Sequence, residues 1–175
     1  MEEENRHPFV EYLESLHKRD DRGALAALRR GLGEPPGSVP AMYRYVVPFL
    51  PDDCPPWEEE AYYLVAALFA YHPKKGGKGN MGDHFAAARD PQRDDTAIER
   101  RFTALLAAHP EDLPHYLRQA VAFLKSKEVS INWHQMIRDV QNWGHPAGYV
   151  QKAWARYFWR PEAPVEAESE IPRRA

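Results

Sequence analysis

Residues 72–85 read HPKKGGKGNMGDHF, and the kind of fold this chain adopts turns on them. Gly77, Gly79 and Gly82 match G-x-G-x-x-G, the dinucleotide fingerprint, and Gly77 to Gly82 also has the G-x-x-x-x-G spacing of a phosphate loop. Either motif requires an α/β fold, with a strand before the glycines and a helix after them. The preceding residues 57–73, WEEEAYYLVAALFAYHP, are too long for an ordinary strand. Prolines come just before them, glutamates fill the first turn, alanines favour helix and Pro73 closes the segment. A helix therefore leads into the glycines, and no strand-like alternation follows them. Asp83 and His84 stand where a phosphate loop carries Lys and Ser or Thr, and Asp83 would repel a triphosphate. Both nucleotide readings fail. What remains is a flexible loop carrying Lys74, Lys75 and Lys78, whose glycines let another backbone approach closely, or a solvated connection between helices.

Outward from this loop, apolar spacing near 3.6 residues recurs along the chain. Phe9, Leu13 and Leu16 mark a first helix, and Asp20 or Asp21 caps a second carrying Leu25 and Leu28, which GLGEPPG stops. AMYRYVVPFLPDDCPP is looser. A short helix follows near GDHFAAAR, and the polar break DPQRDD divides the chain. Thr96 and Glu99 have capping-box spacing before Ile98, Phe102, Leu105 and Leu106. Pro114 opens LPHYLRQAVAFLKSK; Trp133, Met136, Ile137 and Val140 face one way on the next helix, and Val150, Ala153, Trp154, Tyr157 and Phe158 on the last. The expectation is an all-α protein of about eight helices. They form an N-terminal bundle over 1–90 with the glycine loop, a C-terminal bundle over 91–160, and a disordered acidic tail over 161–175.

At 175 residues and 43% hydrophobic, the chain has room for one ordinary domain or two small ones. No apolar run nears the roughly 20 residues that span a bilayer, and the acidic opening MEEENRHP is unlike a signal peptide. The lone Cys54 has no intramolecular partner and reads as a small packed side chain. These features point to the cytoplasm and away from membranes. The net charge of −3 conceals an asymmetry: between Lys74 and Arg160 there are 14 Lys and Arg against 9 Asp and Glu, so a basic body carries acidic ends.

Catalytic signatures are absent from the sequence. None of the eight histidines forms H-E-x-x-H or another i, i+4 pair on one helix, and no serine sits in G-x-S-x-G. The expectation is therefore no enzyme activity, no metal and no cofactor. A metal-dependent nuclease would have to draw on His84, Asp83 and His134, with His84 and His134 pairing with Asp83 or Asp139.

The basic side chains are better organised. Arg22 and Arg29 flank Ala26 seven residues apart, and Arg118 and Lys125 flank Ala122 likewise. Lys152, Arg156 and Arg160 follow at steps of four, with Trp159 expected beside them; positive charge next to an exposed aromatic suits phosphates and unstacked bases. Arg100 points away from the apolar stripe of its helix, Arg101 flanks it, and Arg138 shares a polar face with His134 and Gln141. Local salt bridges are the competing account: Arg138 adjoins Asp139 and Lys127 adjoins Glu128, while Arg22 is poorly placed to pair with Asp20 or Asp21.

Taken in order, GALAALRRGLG, YYLVAALFAYHP, the loop ending NMGDHF, ERRFTALLAAH, LPHYLRQAVAFLKSKEVSINW, MIRDVQNW and VQKAWARYFW resemble the small subunit of type I-E CRISPR surveillance complexes, the CasB family of Cascade. The resemblance runs from about Phe9 to Trp159. It implies an all-helical, non-catalytic scaffold of two bundles, with two copies lying head to tail along the crRNA-bearing complex beside its backbone subunits. Its basic surface would hold the crRNA and target-strand region and guide the displaced non-target strand, leaving cutting to a separately recruited helicase-nuclease. Arg29, Arg30, Lys78, Arg100, Arg101, Arg118 and Arg138 fall on family motifs, and with Arg22, Lys74, Lys75, Lys125, Lys152 and Arg156 they make up the candidate nucleic-acid-binding set. A helical adaptor whose basic faces bind acidic proteins, without affinity for DNA or RNA, is the alternative.

Overall fold

The computed structural model describes residues 5–161, so the expected disordered tail, from residue 162 onward, lies outside the described residues. Among the described residues there are nine α-helices and no strand. In α1 (Pro8–Lys18), Pro8 occupies the first turn, where its missing N–H costs nothing, and Phe9, Val10, Leu13 and Leu16 are buried. Asp21 caps α2 (Arg22–Arg29) by accepting the Ala24 N–H at 3.1 Å. The looser segment resolves into two 3₁₀ turns around the four-residue α3 (Tyr43–Val46), which accounts for the helix beyond the expected eight.

The central element is α4 (Pro56–Tyr71). From Ala61 to Ala70 every residue except Leu64 is buried, so this helix is apolar on almost all sides and other helices surround it. Helices α1, α2, α7 and α8 (Leu113–Ser126 and Trp133–Gln141 for the last two) pack on it, while α5 (Met81–Ala87) lies along α9 (Tyr149–Phe158) and α6 (Thr96–Leu106) along α7. Residue 90 falls in the connection between α5 and α6, and helices from both sides of it share one hydrophobic core. The expected Thr96–Glu99 capping box does not form. The N-cap position is Asp95, and Asp94, one residue earlier, takes the Thr96 N–H at 2.9 Å and also its hydroxyl.

The glycines of residues 76–82 are spent on close packing. A Cβ on Gly77 would lie 2.5 Å from the Asn132 nitrogen, and one on Gly82 would lie 2.0 Å from the Trp154 carbonyl oxygen. Gly79 has φ of 81°, a left-handed conformation that disfavours side chains. The loop is also tied down: Asn132 Nδ2 donates to the Gly79 carbonyl at 3.0 Å, and Lys74 Nζ to the Glu128 carbonyl at 2.8 Å. The flexible loop expected from composition is instead docked along residues 130–132, because glycine lets backbone meet backbone there.

Gly82→Ala should lower stability by about 1–3 kcal/mol, since the obstructing atom is main chain and both helices must move apart. Gly23→Ala, on the exposed face of α2 with its nearest neighbouring atom 3.9 Å away, should raise stability by about 0.5 kcal/mol. Urea unfolding followed by circular dichroism distinguishes the two signs.

Candidate nucleic-acid interface

Twelve of the thirteen candidate cations are exposed, and Arg138 is half-buried. They fall into distinct neighbourhoods. At the C-terminal end of α4, where the last carbonyls lack intrahelical partners, Arg29 Nη1 donates to Ala70 O at 3.5 Å and Lys125 Nζ to Tyr71 O at 2.9 Å. The Lys125 ammonium also lies 4.1 Å from the centre of the Tyr71 ring. Arg118 lies against Gly33, so close that a Cβ there would be 2.3 Å from its Nη1, and this joins α7 to the end of α2, where Arg29 and Arg30 sit. Arg101 from α6 and Lys127 from the end of α7 share the ring of Phe123, at 4.9 and 5.9 Å. The first basic surface is thus built around α7.

A second neighbourhood surrounds the glycine loop. Lys75, Lys78, Gly79, Asn132 and His134 line one groove, and Lys78, Gly79, Gln135 and Tyr157 line another. Lys152 and Arg156 project from α9, and Arg160, just past it, stacks on Tyr157 at 4.2 Å. Tyr157 was expected on the apolar face of its helix; it is 37% exposed, since it sits one position off the stripe that buries Val150, Trp154 and Phe158. Trp159, expected beside the basic row, is 44% exposed but edges onto Phe158 at 4.7 Å. Arg100 stands on the outer side of α6.

The expected local pairings are partly overturned. Arg22 does pair with Asp20, at 3.2 Å, because Asp20 takes a left-handed backbone (φ 52°); both partners are exposed, so the bridge contributes little. Arg138 makes no ion pair with Asp139. Its Nη1 donates to the His134 carbonyl at 3.3 Å, while Asp139 turns into the core to accept Trp154 Nε1 at 2.7 Å and Gln135 Nε2 at 2.9 Å. Lys127 likewise has no ion pair with Glu128 among the described residues. Arg89, absent from the candidate set, reaches Asp95 at 3.6 Å and Glu99 at 3.7 Å and lies 3.9 Å from the Phe158 ring, so it is held within the fold. Cys54 is half-buried, and burial pushes its thiol up, away from reactive thiolate.

The histidines and carboxylates of the nuclease reading serve the fold. Asp83 accepts the Asn80 N–H at 2.9 Å. His134 takes the His7 N–H on Nδ1 at 2.9 Å and donates from Nε2 to Glu14 at 2.6 Å. His84 Nε2 accepts the Asn132 N–H at 3.0 Å, which fastens α5 to the segment against which the glycine loop is docked. The expected His84 and His134 pairings with Asp83 or Asp139 are therefore absent among the described residues, where no group of three or more His, Cys, Asp or Glu side chains is placed to hold a metal ion. No helix there is long and apolar enough to cross a membrane.

The family described as CRISPR-associated protein Cse2 matches residues 24–159, a span that contains every candidate cation except Arg22. The chain belongs to the Cse2 family. A Cse2 protein of Thermus thermophilus is 37% identical over 161 residues, 90% of this chain and 92% of its own. The crystal structure of a Thermus thermophilus Cse2-family protein superposes with a TM-score of 0.77 at 34% identity, covering 86% of this chain and 95% of that one. A chain of a CRISPR RNA-guided surveillance complex matches with a TM-score of 0.70 at 28% identity, covering 86% and 92%. The all-helical architecture of this Cse2-family chain is the one those structures share.

Acid should loosen the glycine-loop docking. Burial lowers His84 from its ordinary 6.5 to about 4, because the buried ring resists taking a charge. In the unfolded chain this histidine binds its proton near 6.5, so the unfolded state gains protons first as pH falls. Stability is full above that value and is lost toward pH 4, by about 3 kcal/mol from this group. His7 and His72, both lowered chiefly by burial, act in the same direction. Urea midpoints at pH 7 and 4.5 should differ more for the wild type than for His84→Gln, which cannot protonate.

Proposed function

We propose that this chain is the non-catalytic small subunit of a type I-E CRISPR surveillance complex. It would lie beside crRNA and target DNA, together with a second copy of itself and the other subunits, and would hold the displaced non-target strand by its phosphates. The observation that carries the reading is the match, along nearly the whole chain, to a subunit of a CRISPR RNA-guided surveillance complex. The surface chemistry supports it. The candidate cations come from α2, α6, α7, α9 and the glycine loop, and Arg30, Lys75, Lys78, Arg100, Lys152 and Arg156 have no hydrogen-bond or ion-pair partner among the described residues. Such side chains meet phosphate as a polymer and read little sequence, which leaves discrimination to guide pairing. The histidines and carboxylates already committed to backbone groups favour a scaffold over a nuclease. A subunit of such a complex would work in the cytoplasm.

The adaptor reading draws support from one feature. A groove of about 420 Å³, mostly apolar, is walled by Leu64, Leu113 and Trp143, with Trp57 59% exposed at its edge. In a multi-subunit assembly a protein contact there and nucleic-acid contacts elsewhere are compatible.

Fluorescence anisotropy of labelled single-stranded DNA, duplex DNA and RNA against this protein, over a salt series from about 50 to 200 mM, tests the reading. Sequence-indifferent binding that falls steeply with salt is expected. Lys152→Ala with Arg156→Ala should weaken it evenly across sequences and reduce the slope of log K against log salt by about 1.5. Flat signals for every nucleic acid at the lowest salt would leave only the adaptor.

A further inference from the structure

Two grooves meet at the glycine loop, and Lys78 and Gly79 line both. The first, of about 600 Å³, runs between the loop and the start of α8; the second, of about 430 Å³, runs from the loop to Tyr157. Lys75 and Lys78 are exposed and have no hydrogen-bond or ion-pair partner among the described residues, and the N–H groups of residues 76–79 donate to no group there. Trp133, on the wall of the first groove, holds a buried indole N–H that is also unpartnered. The grooves contain two carboxylates, and both are engaged: Glu14 by His134 at 2.6 Å and Arg6 at 3.5 Å, Asp83 by the Asn80 N–H at 2.9 Å. Asp83 keeps its charge, but Arg6, Lys75 and Lys78 against Glu14 and Asp83 leave the two grooves together with a surplus of positive charge and of free donors. At the far end is a partly exposed aromatic ring, with the Arg160 guanidinium 4.2 Å from its centre.

We propose that the glycine loop and Tyr157 form a binding track for single-stranded nucleic acid, with Lys75, Lys78 and the loop N–H groups holding consecutive phosphates and Tyr157 stacking on an unpaired base. The inference rests on the nucleic-acid reading above and names the site and the strand form within it. Every base has a π-face, so an aromatic platform beside cations is tolerant of sequence. A duplex keeps those faces stacked inside, and only an unpaired nucleotide can present one to Tyr157. The docking of Gly77 against Asn132 and of Gly82 against Trp154 holds the loop in place beforehand, so binding spends little free energy on ordering it. Arg160, already over the ring, adds a cation to the stack.

The test uses the full chain, labelled 20-nucleotide single strands of DNA and of RNA, a DNA duplex of the same sequence, and an abasic single strand, at one low salt concentration. Tyr157→Ala should weaken single-strand binding by roughly 5- to 100-fold and leave the duplex and the abasic strand unchanged. Tyr157→Phe, which keeps the ring, should bind like the wild type. Lys78→Ala should weaken the abasic strand as well, because its contact is to phosphate. Loss with both strands, or with DNA or RNA alone, supports the track and says which strand it takes. Unchanged single-strand binding in Tyr157→Ala, or an equal loss with duplex, overturns the track while the nucleic-acid reading stands. If the wild type binds none of the four ligands, both fail together.

Discussion

Trp154, fully buried in the last helix, ties that helix to three other parts of the fold. Its carbonyl oxygen is the atom against which Gly82 packs, and its indole N–H donates to the buried Asp139 of α8 at 2.7 Å. Its ring packs 4.9 Å from that of Trp143, whose own N–H reaches the Ala108 carbonyl at 2.9 Å, beyond the end of α6. One residue of the last helix therefore fixes α9 against α5, α8 and the connection that follows α6. Burial raises the Asp139 carboxyl above its ordinary range, and the hydrogen bonds from Trp154 and Gln135 offset part of that cost. A buried acceptor with two directed donors admits few alternative helix arrangements, which is a contribution to specificity more than to net stability.

The helices were legible because each depends on neighbours in sequence. The apolar stripe of α1, the aspartate before α2 and the alanine-rich α4 are local signals, and the structure follows them to within a residue or two. The rejection of a nucleotide fold was legible for the same reason, since a helix and an aspartate occupied positions that the motif reserves for other groups. Partners brought together by folding could not be read. Nothing near Gly82 in sequence announces that a carbonyl 72 residues later will lie against it, and nothing near Asp139 says that it will prefer the core to its neighbour Arg138. Tyr157 was misplaced because helical spacing resolves a face only to about one residue in breadth, and it lies at the stripe's edge. Its exposure, together with Lys78 at the same groove, is the signal that spacing alone lacked.

The cations divide by what they already hold. Arg29 and Lys125 complete the carbonyl end of α4, Lys74 caps the chain at Glu128, and Arg138 bonds to its own helix. Their positive charge reaches solvent, so they add to the field around α7, but moving their donors onto a phosphate would leave carbonyls without partners. Lys78, Arg100, Lys152 and Arg156 face no such conflict. Proximity to family motifs does not separate these two groups, because a helix-capping arginine and a phosphate-binding arginine occupy equally exposed positions.

A chain with net charge −3 can still serve a polyanion, because affinity follows local surfaces and not the sum over the sequence. Its binding alone would be weak and steeply salt-dependent, and within a surveillance complex that weakness is an advantage. Exchanging a DNA duplex for a guide–target duplex is nearly balanced, so a few phosphate contacts to the freed strand suffice to bias it, whereas strong contacts would hold any DNA regardless of pairing. If two copies lie side by side as proposed, they would convert weak contacts into a usable affinity through effective concentration, and only where the assembly has already aligned them. On the proposed function, the modest basic surplus around α7 and the glycine loop would set a threshold: sufficient to retain a strand that guide pairing has opened, and insufficient to open one.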